Sequence, residues 1–188
     1  MQCVKSSITI EDSIKKSRFI GFLIPCLSEI EALQHLRELH QTHTNASHIV
    51  FAYRIKTEKG IVIRFHDAGE PSGTAGKPVY QHLEGKDLIN CLCIVIRYFG
   101  GIKLGAGGLT RAYGNSAKAV IEAATLTNYI EYATIKLELA YKQMQNFEYQ
   151  LKKLDGFIVE QEFSDHINVL IRLPEKNSEL LVKQFKPY

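Results

Sequence analysis

The stretch Leu88–Ala124, LINCLCIVIRYFGGIKLGAGGLTRAYGNSAKAVIEAA, decides how the rest of the chain is read. Its first part is an apolar run too short for a membrane span and bounded by turn formers, which reads as a buried strand over Cys91–Tyr98. Gly100, Gly101, Gly105, Gly107 and Gly108 then crowd a segment, Phe99–Leu109, that reads as a tight glycine-rich connection. Thr110–Ala124 follows with helical character despite Gly114. A strand, a glycine-rich turn and a helix start together form a potential anion site. The first helical N–H groups lack partners, the helix end carries partial positive charge, and glycine lets a ligand approach the backbone. Lys103 and Arg111 flank this start, Arg97 ends the strand, and Tyr98, Phe99 and Tyr113 offer faces for base stacking. The spacing fits neither G-x-x-x-x-G-K-[ST] nor G-x-G-x-x-G, so no P-loop or dinucleotide fingerprint is present. A crossover whose glycines serve packing alone fits the same residues.

Working outward, Ser17–Pro25 reads as a strand. Ser28 with Glu31 is a capping-box signature opening a helix whose apolar residues Ile30, Leu33, Leu36 and Leu39 recur to about His40. His48–Lys56 and Ile61–His66 alternate around Thr57–Gly60 as a hairpin. The next segment, DAGEPSGTAGK at Asp67–Lys77, is dense in turn formers and reads as a loop, with a short helix after Pro78. This loop joins Asp67 and Glu70 to Ser72, Thr74 and Lys77, with Gly69, Pro71, Gly73 and Gly76 between them. Asp67, Glu70 and His48 are the catalytic candidates, as acid–base groups or a metal ligand, and Ser72 or Thr74 would be the nucleophile if His48 or His66 lies near. The alternative reading, which is preferred, has these side chains brace the loop by bonding its own backbone. No G-x-S-x-G accompanies them.

Beyond about residue 133 the pattern becomes strand (134–140), helix (142–154), strand (157–163), strand (166–173) and helix (175–185). This is a split β-α-β arrangement of ferredoxin type, βαββα, expected to lack its last strand and so to leave an open sheet edge for pairing or oligomerisation. The fold class is therefore α+β, with domains expected at 1–130 and 131–188. A chain of 188 residues fits one large or two small domains at roughly 100–200 residues each. Tyr141, Phe147, Tyr149 and Phe157 read as core aromatics, since no RNP-like sequence accompanies them.

Charge and cysteine usage narrow the class further. The net charge is +3, but Leu88–Ala119 holds Arg97, Lys103, Arg111 and Lys118 and no acid, so the positive charge is local. No apolar run approaches ~18 residues, so no membrane helix is expected. The start, MQCVKSSITIED, does not resemble a signal peptide. Four cysteines in such a chain point to the reducing cytoplasm, and Cys91 and Cys93 read as buried strand residues. His40, His43, His48 and His66 invite a metal reading, but no H-E-x-x-H or second Cys/His pair supports it, so neither metal nor cofactor is expected.

These motifs resemble the YigZ/IMPACT family. The likeness rests on Lys16-Ser17-Arg18-Phe19-Ile20, on Ala46-x-His48 leading into Ala52-Tyr53-Arg54, on Asp67-x-Gly69-Glu70-Pro71-Ser72-Gly73-Thr74-Ala75-Gly76-Lys77-Pro78, and on Arg97–Leu109 with Arg111-Ala112-Tyr113. It covers residues ~15–125, and the remainder agrees in pattern with the ferredoxin-like second domain of bacterial members. The resemblance implies a first domain with the fold of a small-subunit ribosomal protein and of domain IV of elongation factor G. It also implies a link to translation, because eukaryotic members regulate translation under amino-acid starvation by binding an activator of an initiation-factor kinase. They do so through an added N-terminal domain and, in part, through the domain that resembles this one. The shared motif here begins near residue 15, so that partner is not carried over. The loop departs from the family at Ala68, where an acidic or amide residue is usual, which removes a side chain that a paired-carboxylate metal site would use.

The leading expectation is a non-enzymatic regulator that contacts RNA, the ribosome or a translation-factor protein. The surface would be Lys77, Arg97, Lys103, Gly105, Gly107, Gly108 and Arg111. An enzyme or nucleotide binder acting on a phosphorylated small molecule at the same anion site is the first alternative, and a protein-binding module the second.

Overall fold

The computed structural model describes residues 1–185. The chain is α+β and divides into two compact units, Met1–Tyr129 and a second from Ile130 onward.

The first unit is built on a five-stranded antiparallel sheet of β2 (Ile8–Ile14), β3 (Ser17–Pro25), β4 (His48–Thr57), β5 (Gly60–His66) and β6 (Cys91–Tyr98), in the order β2-β3-β6-β4-β5. A short ribbon pairs β1 (Gln2–Val4) with β7 (Leu126–Asn128). Strand β6 is central and apolar throughout because both of its faces are covered. Cys91, Cys93 and Val95 pack under α2 (Gly76–Gly85) and α3 (Gly105–Ala123), with Val79, Leu83, Leu109 and Tyr113. Leu92, Ile94 and Ile96 face α1 (Glu29–Thr42), where Ala32 and Leu36 complete the opposite layer. Parity along β6 therefore places Arg97 on the α2/α3 face and inside the protein.

Local chemistry sets most of the helix ends. Ser28 Oγ accepts from Glu31 N at 3.2 Å, and the Glu31 carboxylate reaches back to the N–H of Leu27 at 2.7 Å, one residue beyond the usual capping box. Helix α1 runs to Thr42, past the expected His40. Of its expected apolar stripe, Leu36 is buried and Leu39 half-buried, whereas Ile30 is 80% exposed and Leu33 is also exposed, because Ala32 takes the inward phase. Two helices begin earlier than their composition indicates. Helix α2 starts at Gly76, two residues before Pro78, whose missing N–H costs nothing in a first turn. Helix α3 starts at Gly105 and not Thr110, so Gly105, Gly107 and Gly108 belong to its first turn, with Leu109 buried beneath.

In the second unit β8 (Tyr132–Leu139), β9 (Phe157–Phe163) and β10 (Ile167–Pro174) form an antiparallel sheet in the order β8-β10-β9. A 3-10 turn at Tyr141–Gln143 leads into α4 (Met144–Lys153), and another at Glu175–Asn177 leads into α5 (Ser178–Gln184). Both helices cover one sheet face, where Phe147 meets Phe185 edge to face at 5.1 Å. Phe147 is core, but Tyr141, Tyr149 and Phe157 are exposed, a correction to the reading of all four as core. Among the described residues β8 is hydrogen-bonded on one side only. The expected absence of a closing strand concerns residues 186–188, which lie outside the described residues.

Gly100 marks the closest approach in the first unit: a Cβ there would lie 1.9 Å from the Lys16 carbonyl oxygen. Gly107 has open space around the same position. Gly100→Ala is therefore expected to destabilise the chain by about 1–3 kcal/mol through overpacking. Gly107→Ala should stabilise it by about 0.5–1 kcal/mol through helix propensity. Urea unfolding of the two variants checks both signs.

Candidate functional site

Asp67 directly follows β5, and its carboxylate turns into the loop that it opens. Oδ2 accepts from Gly73 N at 2.8 Å, and Oδ1 accepts from Ala75 N at 3.0 Å and Gly76 N at 2.8 Å. It thus closes the loop and caps α2 at once, filling the role of an N-cap that Ala75 cannot fill. Burial works to raise its pKa, but the backbone bonds from Gly73, Gly76 and Ala75 outweigh this and hold the carboxyl below its ordinary range. Thr74 Oγ1 donates to the Pro71 carbonyl at 2.6 Å, while Ser72 and Gly73 are exposed. Asp67 and Thr74 are tied to the backbone of their own loop, which leaves neither placed as an acid–base group or a nucleophile. Gly69 takes a positive φ of 87° at the turn, next to the His48 ring.

Glu70 points the other way, into the protein. Its Oε1 accepts from Arg97 Nη1 at 2.6 Å and from the Tyr113 hydroxyl at 2.8 Å. The Glu70 and Arg97 side chains are 4% and 5% exposed. Arg97 Nη2 lies 3.4 Å from Ser17 Oγ, which also accepts from Gly100 N at 3.2 Å. The guanidinium sits between the rings of Phe19 and Phe99, at 5.6 and 5.4 Å from their centroids. Arg97, expected as a phosphate-binding cation, is thus a buried group whose charge Glu70 matches. Tyr113, expected as a stacking face, is likewise buried; burial and the neighbouring Glu70 carboxylate raise its pKa. Tyr98 is half-buried and bonded to His43 Nδ1 at 2.8 Å, so Phe99 is the ring that stays open.

The two glycine-rich motifs meet. Glu70 and Pro71 from the loop, with His48, Arg97, Phe99, Lys103 and the start of α3, bound a cleft of about 310 Å³. Leu104 at the N-cap of α3 offers no side-chain cap, and no other described side chain supplies one. Leu104 is shared with a second depression of about 240 Å³ that carries Lys15, Gly108 and Arg111. Lys103 and Arg111 therefore stand on either side of the helix start. Lys15 and its neighbour Lys16 form the turn from β2 to β3, both in the left-handed region at φ 46° and 66°. Holding two such lysines there costs on the order of 1 kcal/mol each. Lys15, Lys16, Lys103 and Arg111 have no carboxylate partner among the described residues. Lys77 is exposed on the first turn of α2 and lines neither depression. Lys15 was missed as a site residue because its signal lies in backbone conformation, not in residue spacing.

The histidines gather around another cleft, of about 330 Å³, bounded by His40, His43, His48 and His66 over Leu36 and Phe51. His48 Nδ1 donates to the Ala68 carbonyl at 2.9 Å, while His66 Nδ1 accepts from Ala68 N at 3.0 Å. Among the described residues no three His, Cys, Asp or Glu side chains converge as a metal site would require. Cys91 and Cys93 are buried, and burial pushes the Cys91 thiol up to about 12 and raises that of Cys93 as well.

Asp67→Asn is expected to lower stability by about 1–3 kcal/mol at neutral pH, since the amide nitrogen turns a donor toward backbone donors. The native carboxyl titrates below its unfolded value of about 3.9. Its contribution is therefore present above that value and lost as pH falls through the folded pKa. Urea midpoints for the native chain and the variant should draw together between about pH 7 and about pH 3.

Comparison with known proteins places this geometry in a family. The family model for the Impact N-terminal domain matches residues 15–121. An IMPACT family member of Haemophilus influenzae is 35% identical over 176 residues, covering 93% of this chain and 85% of that protein. The IMPACT family member YvyE of Bacillus subtilis is 35% identical, covering 93% and 80% of the two chains. A solved structure described as a hypothetical protein superposes with a TM-score of 0.72 at 28% identity, covering 97% of this chain and 89% of the other. The matched segment holds both the Asp67 loop and the start of α3, and the chain belongs to the IMPACT family.

Proposed function

We propose that the chain is a non-enzymatic, translation-linked regulator that contacts RNA, free or in the ribosome, through the start of α3 and the cations around it. One observation carries the reading. Three exposed cations, Lys15, Lys103 and Arg111, with no carboxylate partner among the described residues, line the two depressions beside a helix N-terminus that no described side chain caps, and Lys16 neighbours Lys15 in the β2–β3 turn. Exposed, unpaired cations beside free N–H groups are what a phosphate backbone requires. The ion pair beneath them keeps Arg97 from adding to that field and Glu70 from opposing it. The link to translation comes from the family resemblance, as does kinship of the first unit with a small-subunit ribosomal protein and domain IV of elongation factor G. Both are part of the proposal.

The test is fluorescence anisotropy with a short labelled single-stranded RNA across a salt series. Each phosphate contact contributes about 0.7 to the log–log salt slope for a single strand. Lys103→Ala combined with Arg111→Ala should weaken binding and reduce the slope by about 1.4. Lys118→Ala, which removes a cation already paired with Glu122 on α3, should leave the slope unchanged. An unaltered slope in the double variant means that the surface lies elsewhere.

His48 favours a second reading, an enzyme acting on a phosphorylated small molecule. Its Nδ1 donates to Ala68, which leaves Nε2 3.6 Å from Glu70 Oε1 in a residue that lines the cleft, the placement a general base needs. That reading requires micromolar competition by a nucleotide and turnover that His48→Gln abolishes without loss of folding.

A further inference from the structure

Glu70 is an unusual floor for a cleft that Lys103 and the first turn of α3 also line. Its Oε1 accepts from Arg97 and Tyr113 and lies 3.6 Å from His48 Nε2, whereas Oε2 accepts no hydrogen bond among the described residues. The only buried side-chain polar atoms without partners among the described residues are Arg54 Nε and Arg97 Nε, so Oε2 is not fully sealed, and Glu70 is one of the residues that line the cleft. A carboxylate oxygen held in that position, on a side chain 4% exposed, is matched by a donor arriving with the ligand. The ligand must also carry an anion, because Lys103 and the first turn of α3 share the cleft. A third feature is the ring of Phe99, 48% exposed and backed at 5.4 Å by the Arg97 guanidinium, so it is held in place with a face open.

An anion, a hydroxyl donor and a flat ring within about 310 Å³ describe one ligand class. Such a volume lies at the small end of ligand clefts and holds one nucleotide, not a stack of them. We infer that the cleft seats a single ribonucleotide of the bound RNA: its phosphate at Lys103 and the α3 start, its ribose 2′-hydroxyl donating to Glu70 Oε2, its base over Phe99. This rests on the RNA reading above and deepens it. The cations supply affinity for any phosphate chain, whereas Glu70 distinguishes RNA from DNA, because deoxyribose has no 2′-hydroxyl to donate.

The test varies the probe, because Glu70→Gln would strand the buried Arg97 charge and confound binding with folding. Short labelled oligoadenylates of ribose, deoxyribose and 2′-O-methylribose are compared with the full chain at one salt concentration. The ribose form should bind about tenfold or more tighter than either other form, as a lost hydrogen bond to a charged acceptor requires. Phe99→Ala, at an exposed position, should weaken RNA binding on the order of tenfold while leaving the salt slope unchanged, because stacking carries no charge. Equal affinity for all three probes, with the slope still dependent on Lys103 and Arg111, overturns the ribonucleotide seat and leaves the RNA surface standing. An unchanged RNA affinity in Phe99→Ala also overturns the seat. Failure of all three probes to bind overturns both readings.

Discussion

The first unit is organised by one buried ion pair, Arg97 with Glu70. Strand parity forces the Arg97 guanidinium under α3, where an unpaired charge would be prohibitive, and the nearest carboxylate comes from a loop 27 residues earlier. Breaking such a pair by deleting one partner typically costs about 3–5 kcal/mol, because the survivor is left charged and dry. The loop is therefore fixed to the sheet, Tyr113 ties α3 to the same oxygen, and Ser17 joins the β2–β3 turn to Gly100. Four segments distant in sequence acquire their mutual geometry from this contact. The cleft lies where they meet.

This arrangement separates two electrostatic tasks. The interior pair is neutral as a unit and holds the backbone in place; the outer cations carry the field. In the proposed RNA contact, reorganisation would then be confined to the long side chains of Lys15, Lys103 and Arg111. The helix start, the Phe99 ring and the Glu70 carboxylate are set beforehand, which lowers the entropic cost of binding.

Much of the fold was legible in the sequence because its signals are local. Strands β3, β6 and β9 follow from alternation or burial, the β4–β5 hairpin from its turn, and the α1 start from Ser28 and Glu31. The misreadings share a different character. Helix α3 absorbs Gly105, Gly107 and Gly108 because the packing of Leu109 outweighs glycine's poor propensity. The β1–β7 ribbon is three residues a side, below what periodicity can detect. Both motifs of the site could be read, but not that they face each other, since the contact joins Glu70 to Arg97 across a helix and a strand. The burial of Arg97 was available from its parity with Cys91, Cys93 and Val95; its residue type suggested an exposed cation instead. Lys15 and Lys16 were invisible as a pair, since nothing in their identity requires positive φ.

The placement of Asp67 bears on how the chain folds. The N-cap residue of helix α2, Ala75, offers no side-chain cap; the cap is Asp67, the residue after β5, nine positions upstream of Gly76. A ten-residue helix is too short to persist alone in water, and its start is stabilised only once β5 has paired with β4 and delivered the carboxylate. Hairpin and helix therefore form one cooperative unit, with closure of the short loop between them intrinsically fast at about 10–100 ns. The order of events then follows the sheet, and α2 is expected to exchange its amide hydrogens together with the β4–β5 hairpin and not as an independent element.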